Sequence, residues 1–490
     1  MINLLKHSSW LLFAAAMFFT LLGQRGLNEP DEGRYAEIAR EMSLDGDWLI
    51  PHMNGLPHFQ KPPVIYWFTA LSLQIFGHNE WAARLPSALM ALGTVTLVFM
   101  LARLLLPGRN GGENAALVLT TLAGFFAMSR LLTPDMTMTF WITAAITAAV
   151  HQRHWLFFIL MGTGFLTKGP MALVVPISAI LGWQVFCKPH ERLHLQWWRG
   201  LALTLAISLC WFVMLSIQDP SLFEYFWRYE LMERFGSANH GRAKPFWFFL
   251  VVLPLATLPW ILTLPLRRIW KKCCSWHFNA WQGLLLGWTI PPLIILSFSG
   301  SKLPTYVLPL MPAFALTVAA TSPDLRRSWS LALPTAACLL LGDFVVAQCN
   351  EHLGVQASSR ELAQLLRTQE TDEDEAILFA CETRTEGLAF YTEHLMNITR
   401  READCVMQPT PVQAEHIYPS LSDCIQRLTD GPPAHGIVKT TRFEKMFDQK
   451  KWRIIGRSGA FCLVANHPIH TSAKKPFPHN HIAPPNPSAD

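Results

Sequence analysis

The most regular feature of the chain is a series of apolar segments separated by short polar ones. A helix needs roughly 20 apolar residues to cross the hydrocarbon layer of a membrane, and about 17 suffice. By this measure the sequence predicts eleven membrane spans, several of them short. The predicted spans are residues 8–24, 85–106, 114–130, 136–150, 154–167, 170–187, 200–217, 246–265, 280–298, 304–321 and 329–347.

A further apolar segment, Val64–Phe76, has only 13 residues, a length that suits an interfacial or re-entrant helix better than a span. When it is not counted and the N-terminus is placed in the cytoplasm, four basic loops fall on the cytoplasmic side, in agreement with the positive-inside rule. These loops carry Arg103 and Arg109, then Lys188, Arg192 and Arg199, then Arg267, Arg268, Lys271 and Lys272, then Arg326 and Arg327.

The same orientation places five polar segments on the opposite, outer side. They are residues 25–84, the turn LLTPDM at Asp135, TKGP at Lys168, residues 218–245 and SGSKLPTY at Lys302. Several of these outer loops are also basic, which the orientation rule does not require. We therefore expect an anionic ligand on this side of the membrane.

After residue 347 the composition becomes that of a soluble domain. Residues 376–381 and 435–438 have strand patterns, residues 386–393 have a helix pattern, and residues 452–465 have a hairpin pattern. The predicted domains are therefore a transmembrane domain over residues 1–347, an outer α/β domain over 348–466 and a disordered tail over 467–490.

Composition agrees with this division. Hydrophobic residues make up 51% of the chain and charged residues 15%, against about 25% charged in ordinary soluble domains. The net charge of +5 is spread over many short segments, which excludes a nucleic-acid-binding protein. We expect the N-terminal apolar segment to be an uncleaved first span, because no typical signal-peptidase site follows it.

Cysteines and histidines give weaker indications. Five cysteines belong to the predicted outer part, where one or two disulfides are plausible. The spacing of the histidines in the tail is irregular and favours a solvated segment over a metal site. The five outer cysteines are Cys349, Cys381, Cys405, Cys424 and Cys462.

The stretch LNEPDEGRYAEIAREM, residues 27–42, has two interpretations. In the structural one, Asn28 and the acids after it begin a helix, and Glu37, Arg40 and Glu41 form its salt-bridged outer face. In the functional one, the charges belong to a site, because they lie close to the bilayer surface and a second charged element, Lys61 before two prolines, follows.

Two sequence runs in the first outer loop resemble a known enzyme family. The run DEGRYAEIAREM, followed by GDWLIPHMNGLPHFQKPPVIYWFTALSLQIFGHNEWAARLPSAL, closely resembles the first outer loop of the ArnT-like branch of the GT-C glycosyltransferases, which is related to the protein O-mannosyltransferases. The resemblance is dense over residues 25–90. It continues more loosely through TPDM, TKGP, HGR-x-x-PFWFF and SKLPTYVLP to residue 320.

The resemblance implies both a fold and an activity. The fold is an all-α polytopic membrane domain of the GT-C type, with about 11–13 transmembrane helices, followed by a small α/β domain. The activity is that of an inner-membrane enzyme that takes a sugar from polyprenyl (undecaprenyl) phosphate. It passes the sugar to lipid A or another envelope acceptor on the periplasmic face.

By the resemblance, Asp31 is the catalytic aspartate, Glu32 stands beside it, and Asp135 matches a second family acid. A carboxylate can take a proton from an acceptor hydroxyl, or it can position an acceptor phosphate that needs little deprotonation. Asp135 has a structural alternative, a helix cap before Met136. The sequence leaves both choices open.

A lipid phosphate leaving group requires cations and hydrogen-bond donors from several loops. The predicted donor-phosphate residues, named by motif position, are Arg34, Tyr35, Lys61, Arg242, Tyr306, Lys302 and Lys168. The structural alternative for Lys61 and Lys302 is a lysine that only snorkels to the interface or sets topology.

One position departs from the family pattern. Relatives carry Glu before the lysine, in F-E-K-P-P, whereas this chain has Gln60. In the family that Glu is associated with a divalent cation together with a histidine that matches His240. A neutral amide would weaken such a site, so the metal requirement stays open.

Three functions are therefore compared. A lipid-linked glycosyltransferase explains the loop motifs, with lipid A, another lipid, a polysaccharide or a protein as acceptor. A transporter of anionic lipid would place charge near the bilayer midplane and have broken helices in repeated halves. A sensor or assembly subunit would leave the loop motifs unexplained.

Overall fold

The computed structural model is largely helical and describes residues 2–106, 110–226, 244–275, 277–321, 324–349, 358–368, 377–380, 386–399, 417–458 and 461–466. In the described residues before the C-terminal part, the α-helices are α1 (Ile2–Phe19), α2 (Asp31–Asp45), α3 (Val64–Phe76), α4 (Glu80–Leu105), α5 (Gly111–Thr120), α6 (Ala123–Ser129), α7 (Pro134–Val150), α8 (His154–Lys168), α9 (Met171–Phe186), α10 (Trp197–Gln218), α11 (Ser221–Glu224), α12 (Phe248–Ala256), α13 (Leu266–Ser275), α14 (Ala280–Phe298), α15 (Met311–Thr321) and α16 (Leu325–Cys349).

Among the described residues, five helical segments are long and apolar enough to cross a membrane. They are Glu80–Leu105, Trp197–Gln218, Ala280–Phe298, Pro304–Thr321 and Leu325–Gln348. The other six predicted spans are also helical, but their helices are shorter or interrupted. The chain is thus a multi-pass membrane protein, as predicted.

Two predicted spans, 114–130 and 246–265, are broken in the structure. The first is interrupted between α5 and α6, and the second after α12, where Pro259 follows. The breaks lie side by side, since the Ala123 amide donates to the Leu258 carbonyl at 3.1 Å and Trp260 Nε1 donates to Thr121 Oγ1 at 2.9 Å. Backbone groups freed within the bilayer need such partners, which explains why the two breaks coincide.

Small residues allow a close contact between α9 and α14. A Cβ added at Gly182 in α9 would lie 2.2 Å from the Gly283 carbonyl oxygen of α14, and one at Gly287 would lie 2.1 Å from the Ser178 carbonyl oxygen. These two helices therefore pack backbone against backbone. Such glycine-mediated contacts are typical of membrane helices, where packing rather than the hydrophobic effect holds helices together.

The first outer loop folds into α2, a short hairpin and α3. The hairpin strands are β1 (His52–Met53) and β2 (Leu56–Pro57). The predicted helix Val64–Phe76 is confirmed as a helix; its position relative to the membrane stays a prediction. It buries one face against α2 and α4 and leaves Leu71 and Ile75 exposed.

In the structural interpretation Glu37, Arg40 and Glu41 form a salt-bridged outer face of α2. The salt bridge is confirmed, but the outer position is wrong. Glu37, Arg40 and Glu41 are all buried, and Arg40 donates to both carboxylate oxygens of Glu37 at 2.7 and 2.8 Å. Glu41 accepts hydrogen bonds from the Asn54 and Gly55 amides of the hairpin turn. Contacts distant in sequence cover this face, so helical spacing alone gave the wrong environment.

After α16 the described residues form a four-stranded sheet with helices on both faces. The elements are α17 (Arg360–Thr368), β3 (Ile377–Ala380), α18 (Leu388–Thr392), β4 (Ile398–Thr399), β5 (Ile417–Tyr418), α19 (Leu421–Thr429), β6 (Ala434–Lys439), α20 (Thr440–Met446), β7 (Arg453–Ser458) and β8 (Phe461–Ala465). The order in the sheet is β3-β6-β8-β7, with β3 parallel to β6 and the other neighbours antiparallel.

The predicted strands and the predicted hairpin of this C-terminal part are confirmed by β3, β6 and the β7–β8 pair, and the predicted helix by α18. One face of the sheet packs on α19 and α20, the other on α17 and α18, and α18 also contacts α2. Cys462 is a buried thiol that donates to the Val438 carbonyl. The domain boundaries stay predictions, and the tail after Asn466 lies outside the described residues.

Candidate functional site

The N-terminus of α2 presents Asp31 to solvent. The helix begins after Pro30, and the Asn28 carbonyl accepts from the Glu32 and Gly33 amides at 2.9 and 3.3 Å. The Asp31 side chain is 57% exposed, and its carboxylate lies 3.5 Å from Arg34 Nη2. Asp31 is therefore an accessible acid with one loosely held cation beside it.

Glu32, the next residue, has the opposite environment. Its carboxylate is buried and accepts from Arg84 Nε and Nη2, both at 2.8 Å, and from the Leu132 amide, also at 2.8 Å. Burial alone would raise the pKa of the Glu32 carboxyl, but the charge and hydrogen bonds of Arg84 lower it below its usual value. This geometry favours a structural role over the predicted catalytic one.

Arg84 fastens the start of the loop to α4. Besides Glu32, its guanidinium donates to the carbonyls of Leu22, Arg25 and Gly26 at 3.1, 2.6 and 2.8 Å. Since Glu32 also accepts from Leu132, the same pair joins the loop to the turn that leads into α7. The turn that precedes Asp135 is thereby held next to the N-terminus of α2.

Arg34 and Lys61, two predicted phosphate-binding cations, meet at Gln60. Arg34 Nη1 donates to Gln60 Oε1 at 3.2 Å, and Lys61 Nζ donates to the Gln60 carbonyl at 3.1 Å. Arg34 Nη2 also lies 3.6 Å from a carboxylate oxygen of Glu386, in the C-terminal part. The structure thus brings both cations to the side of α2 that carries Asp31.

The structure describes only one of the two positions named for the predicted metal site, Gln60, and therefore does not test it. Gln60 replaces the family glutamate, and its side-chain oxygen already accepts from Arg34. Within the described ranges no group of three His, Cys, Asp or Glu side chains is arranged to hold a metal. His240, and likewise the phosphate-binding candidate Arg242, lie outside the described residues.

His58 is a residue of this region that the sequence analysis missed. It is buried after the hairpin, and its amide donates to the Pro51 carbonyl at 2.7 Å. Burial, together with the charges of Arg34 and Lys61, lowers the pKa of His58 to about 3. The imidazole is therefore neutral at physiological pH. Its place two residues before Gln60 in PHFQKPP is the signal that could have indicated it.

Asp135, Lys168 and Tyr306 come together from three elements. Asp135 lies in the first turn of α7, and Lys168, at the end of α8, makes an ion pair with its carboxylate. The Lys168 ammonium also lies 5.0 Å from the ring centroid of Tyr306, in the 3₁₀ segment Pro304–Leu310. Asp135 thus lies in the first turn of α7, and it also makes an ion pair that joins α7 to α8.

The other two candidates are buried. Lys302 donates to the Ser299 carbonyl at 2.5 Å within its own loop. Tyr35 packs in the apolar cluster between α2 and α3, with its ring centroid 5.9 Å from that of Tyr66. Neither position tests the predicted phosphate contact, so both remain predictions.

Coupling between Asp135 and Lys168 can be measured. Asp135→Asn and Lys168→Met should each lower the rate of the sugar transfer that the resemblance implies. The double variant should lose less than the two losses combined, with a coupling free energy of about 1–3 kcal/mol. Asp135→Asn with Arg103→Ala, at an exposed position of α4, is the control pair and should be additive. Additive losses for Asp135 and Lys168 would contradict a functional ion pair.

Glu29, two residues before Asp31, links the loop to the C-terminal part. Its carboxylate accepts from Ser359 Oγ at 2.5 Å and from the Gly387 amide at 3.0 and 3.2 Å. Desolvation raises the pKa of Glu29 to about 8 despite the hydrogen bond from Ser359, and the nearby Glu386 adds to the rise while Arg34 opposes it. At neutral pH the group is largely a neutral acid.

The raised pKa of Glu29 makes the stability of the protein depend on pH. Between the usual value near 4.5 and about 8, the folded state holds a proton that the unfolded state releases, so this contribution to stability is lost as the pH rises. Glu29→Gln should remove that slope and stabilise the protein by about 1–3 kcal/mol near pH 8.5, allowing for partial solvent screening. Melting temperatures of both forms across pH 6 to 9 test this, and parallel curves would contradict it.

Comparison with known proteins adds three findings on sequence. A family model described as dolichyl-phosphate-mannose-protein mannosyltransferase matches residues 60–216. The chain is 34% identical over 332 residues to the undecaprenyl phosphate-alpha-4-amino-4-deoxy-L-arabinose arabinosyl transferase of Edwardsiella ictaluri, covering 64% of this chain and 59% of that relative. It is 36% identical over 329 residues to a second protein with this name, arabinosyl transferase 2 of Sodalis glossinidius. That match again covers 64% of this chain and 59% of the relative. The matches thus span about three fifths of the length of these relatives.

The fold has a close counterpart among solved structures. ArnT from Cupriavidus metallidurans bound to undecaprenyl phosphate superposes with a TM-score of 0.76 and 23% sequence identity, covering 94% of this chain and 97% of that one. This likeness includes both the membrane helices and the C-terminal part. It shows that the chain has the GT-C type of fold.

Proposed function

We propose that this chain, which is ArnT-like in sequence and has the GT-C fold, is an integral membrane glycosyltransferase. It moves a sugar from a polyprenyl phosphate, undecaprenyl phosphate in the relatives' names, to lipid A or a related envelope acceptor. The enzyme lies in the inner membrane, with its reacting loops and C-terminal part in the periplasm. Another lipid, a polysaccharide or a protein is the alternative acceptor.

One observation carries the proposal: an exposed acid lies beside two cations from distant positions of the first outer loop, and the turn of a second outer segment is held next to them. Asp31 is next to Arg34, Gln60 brings Lys61 to the same place, and the Glu32 contact with Leu132 holds the turn before Asp135 nearby. All these segments fall on one side of the membrane in the predicted orientation. A transfer that creates an anionic lipid phosphate requires such a set of groups.

The proposed roles follow from exposure and charge. Asp31 takes the proton of an acceptor hydroxyl or positions an acceptor phosphate. Arg34 and Lys61 bind the donor phosphate, and Arg34 offers two parallel donors while Lys61 offers a point charge. The Asp135 and Lys168 pair, with Tyr306, belongs to the same site. Glu32 and Arg84 hold the loop that leads to Asp31 against α4.

In the proposed reaction an acceptor oxygen attacks the anomeric carbon of the sugar. The bond from that carbon to the donor phosphate oxygen breaks, and the polyprenyl phosphate leaves with its electron pair. Cations next to the departing oxygens lower the free energy of this charge development. The exposed apolar side chains Leu71, Ile75, Phe246 and Leu250 offer a lipid-facing surface for the prenyl chain.

Transport is the less supported alternative. The breaks at residues 121–122 and 257–259 have only uncharged side chains, whereas a transporter is expected to bind its anionic cargo at such breaks near the midplane. The ion pairs described above connect outer segments or the outer ends of spans. This distribution favours chemistry at one face.

The test is mass spectrometry of lipid A and of total glycolipids from cells with and without this chain. A sugar added to lipid A only when the chain is present would support the proposal in full. A sugar on another glycan would support the transferase and change the acceptor. An unchanged glycan profile would contradict the transferase and favour transport.

A further inference from the structure

Helix α2 and the C-terminal part meet through two glycines. A Cβ added at Gly33 would lie 2.6 Å from the Gly387 amide nitrogen, and one at Gly387 would lie 2.8 Å from the Gly33 Cα. Only residues without side chains allow this approach. Glu386, the residue before Gly387, is thereby held beside the first turn of α2, which also carries Asp31.

Several polar contacts fix the two parts on either side of this glycine pair. The Leu27 amide donates to the Tyr391 hydroxyl at 2.7 Å, and Asn54 exchanges two hydrogen bonds with the Met396 backbone at 2.5 and 2.6 Å. Arg360 makes an ion pair with Glu80 at 2.8 Å. Together with Glu29, these contacts make Glu386 a stable part of the surroundings of Arg34.

Among the described residues, the acceptors around Arg34 lie at the outer limit of a hydrogen bond or beyond it. Its guanidinium lies 3.2 Å from Gln60 Oε1, 3.5 Å from Asp31 and 3.6 Å from Glu386. Arg84, by contrast, binds Glu32 through two contacts at 2.8 Å, which is the range of a full charge-assisted bond. Within the described part of the chain, Arg34 thus has two carboxylates near it but makes a bidentate pair with neither.

We propose that Glu386 is a positioning residue of the donor-phosphate site, which holds Arg34 with its carboxylate and yields it to the lipid phosphate when donor or product binds. This inference rests on the proposed function. Glu29, Gly33 and Gly387 fix the segment that carries Glu386, so the C-terminal part supplies one wall of the site.

A lipid phosphate binds Arg34 more strongly than the Glu386 carboxylate does, for two reasons. The product is a phosphate monoester, which carries more negative charge than a carboxylate. A bound phosphate can also approach the guanidinium fork bidentately, whereas the Glu386 carboxylate stays 3.6 Å from Arg34 Nη2. The exchange nevertheless sets the Glu386 carboxylate close to the bound phosphate, and the two negative charges repel each other. Glu386 therefore weakens binding of the lipid phosphate and promotes release of the product after transfer.

The experiment measures binding of radiolabelled undecaprenyl phosphate to the full chain in detergent. Glu386→Gln, which keeps the shape of the side chain, should bind the lipid about three- to tenfold more tightly, and the difference should narrow at high salt. In a transfer assay the same variant should lower the KM for donor and slow turnover through retarded release of product.

Glu393→Gln is the matched control. It removes the same charge from an exposed position of the same segment, and its affinity should stay within about twofold of the unmodified chain. Glu386→Asp, which restores the charge, should return the affinity toward that of the unmodified chain.

The outcomes separate the two proposals. If the unmodified chain binds no undecaprenyl phosphate, the proposed function fails, and this inference fails with it. If the unmodified chain binds the lipid but Glu386→Gln binds it equally or more weakly, the role of Glu386 alone is overturned.

Discussion

Asp31→Asn is expected to lower sugar transfer by about 10²-fold or more, the usual range for loss of a positioned acid or base. The reason lies in its exposure: the Asp31 carboxylate is open to solvent, and Arg34 at 3.5 Å is its closest charged neighbour in the described part of the chain. The amide keeps the shape of the side chain but takes no proton and carries no charge. Folding and insertion should remain unchanged, because no buried contact is lost.

Asp45→Asn, at the exposed end of the same helix, is the control and should keep full activity. Transfer rates and melting temperatures of the purified variants are the measurements. Full activity in Asp31→Asn would remove Asp31 from the mechanism. Loss of activity together with a lowered melting temperature would contradict the view that Asp31 acts in chemistry alone.

The largest expected effect on stability belongs to Arg84. Arg84→Leu should destabilise the protein by about 3–5 kcal/mol, because the buried Glu32 carboxylate loses its bidentate cationic partner. Three backbone carbonyls also lose their donor. The double variant Glu32→Leu with Arg84→Leu should lose less than Arg84→Leu alone, since no unpaired charge then stays buried.

Thermal unfolding in detergent measures this effect. Arg103→Ala is the control on the same helix, because Arg103 is exposed and should change stability by no more than about 0.5 kcal/mol. A melting temperature for Arg84→Leu equal to that of the control would contradict the structural role assigned to the pair of Glu32 and Arg84.

The membrane helices could be predicted because each span has to be apolar along its whole length. The strands at residues 377–380 and 434–439 could be predicted because their alternation and flanking residues are local signals. The resemblance that DEGRYAEIAREM indicated is confirmed by the matches to the arabinosyl transferases and by the fold of ArnT. Local hydrophobic patterns and the family motif were therefore enough to predict the architecture from the sequence.

Environments created by distant contacts could not be predicted. Glu41 has the spacing of a surface residue, yet the hairpin turn at Asn54 and Gly55 buries it. Glu32 and Asp31 are neighbours in sequence, and only the position of Arg84, on another helix, separates a buried acid from an exposed one. His58 carries no periodic signal at all.

The central claim is that the polar segments meet on the non-cytoplasmic side around a prenyl phosphate. The most direct test is labelling of Asp31→Cys and Lys61→Cys in intact cells with a membrane-impermeant maleimide, using peptide mass spectrometry and the native Cys274, exposed in α13, as the cytoplasmic reference. The account predicts that positions 31 and 61 are labelled, that Cys274 is not, and that added undecaprenyl phosphate slows labelling at both positions in detergent. Labelling of Cys274 with positions 31 and 61 unreactive, or rates that the lipid does not change, would contradict it.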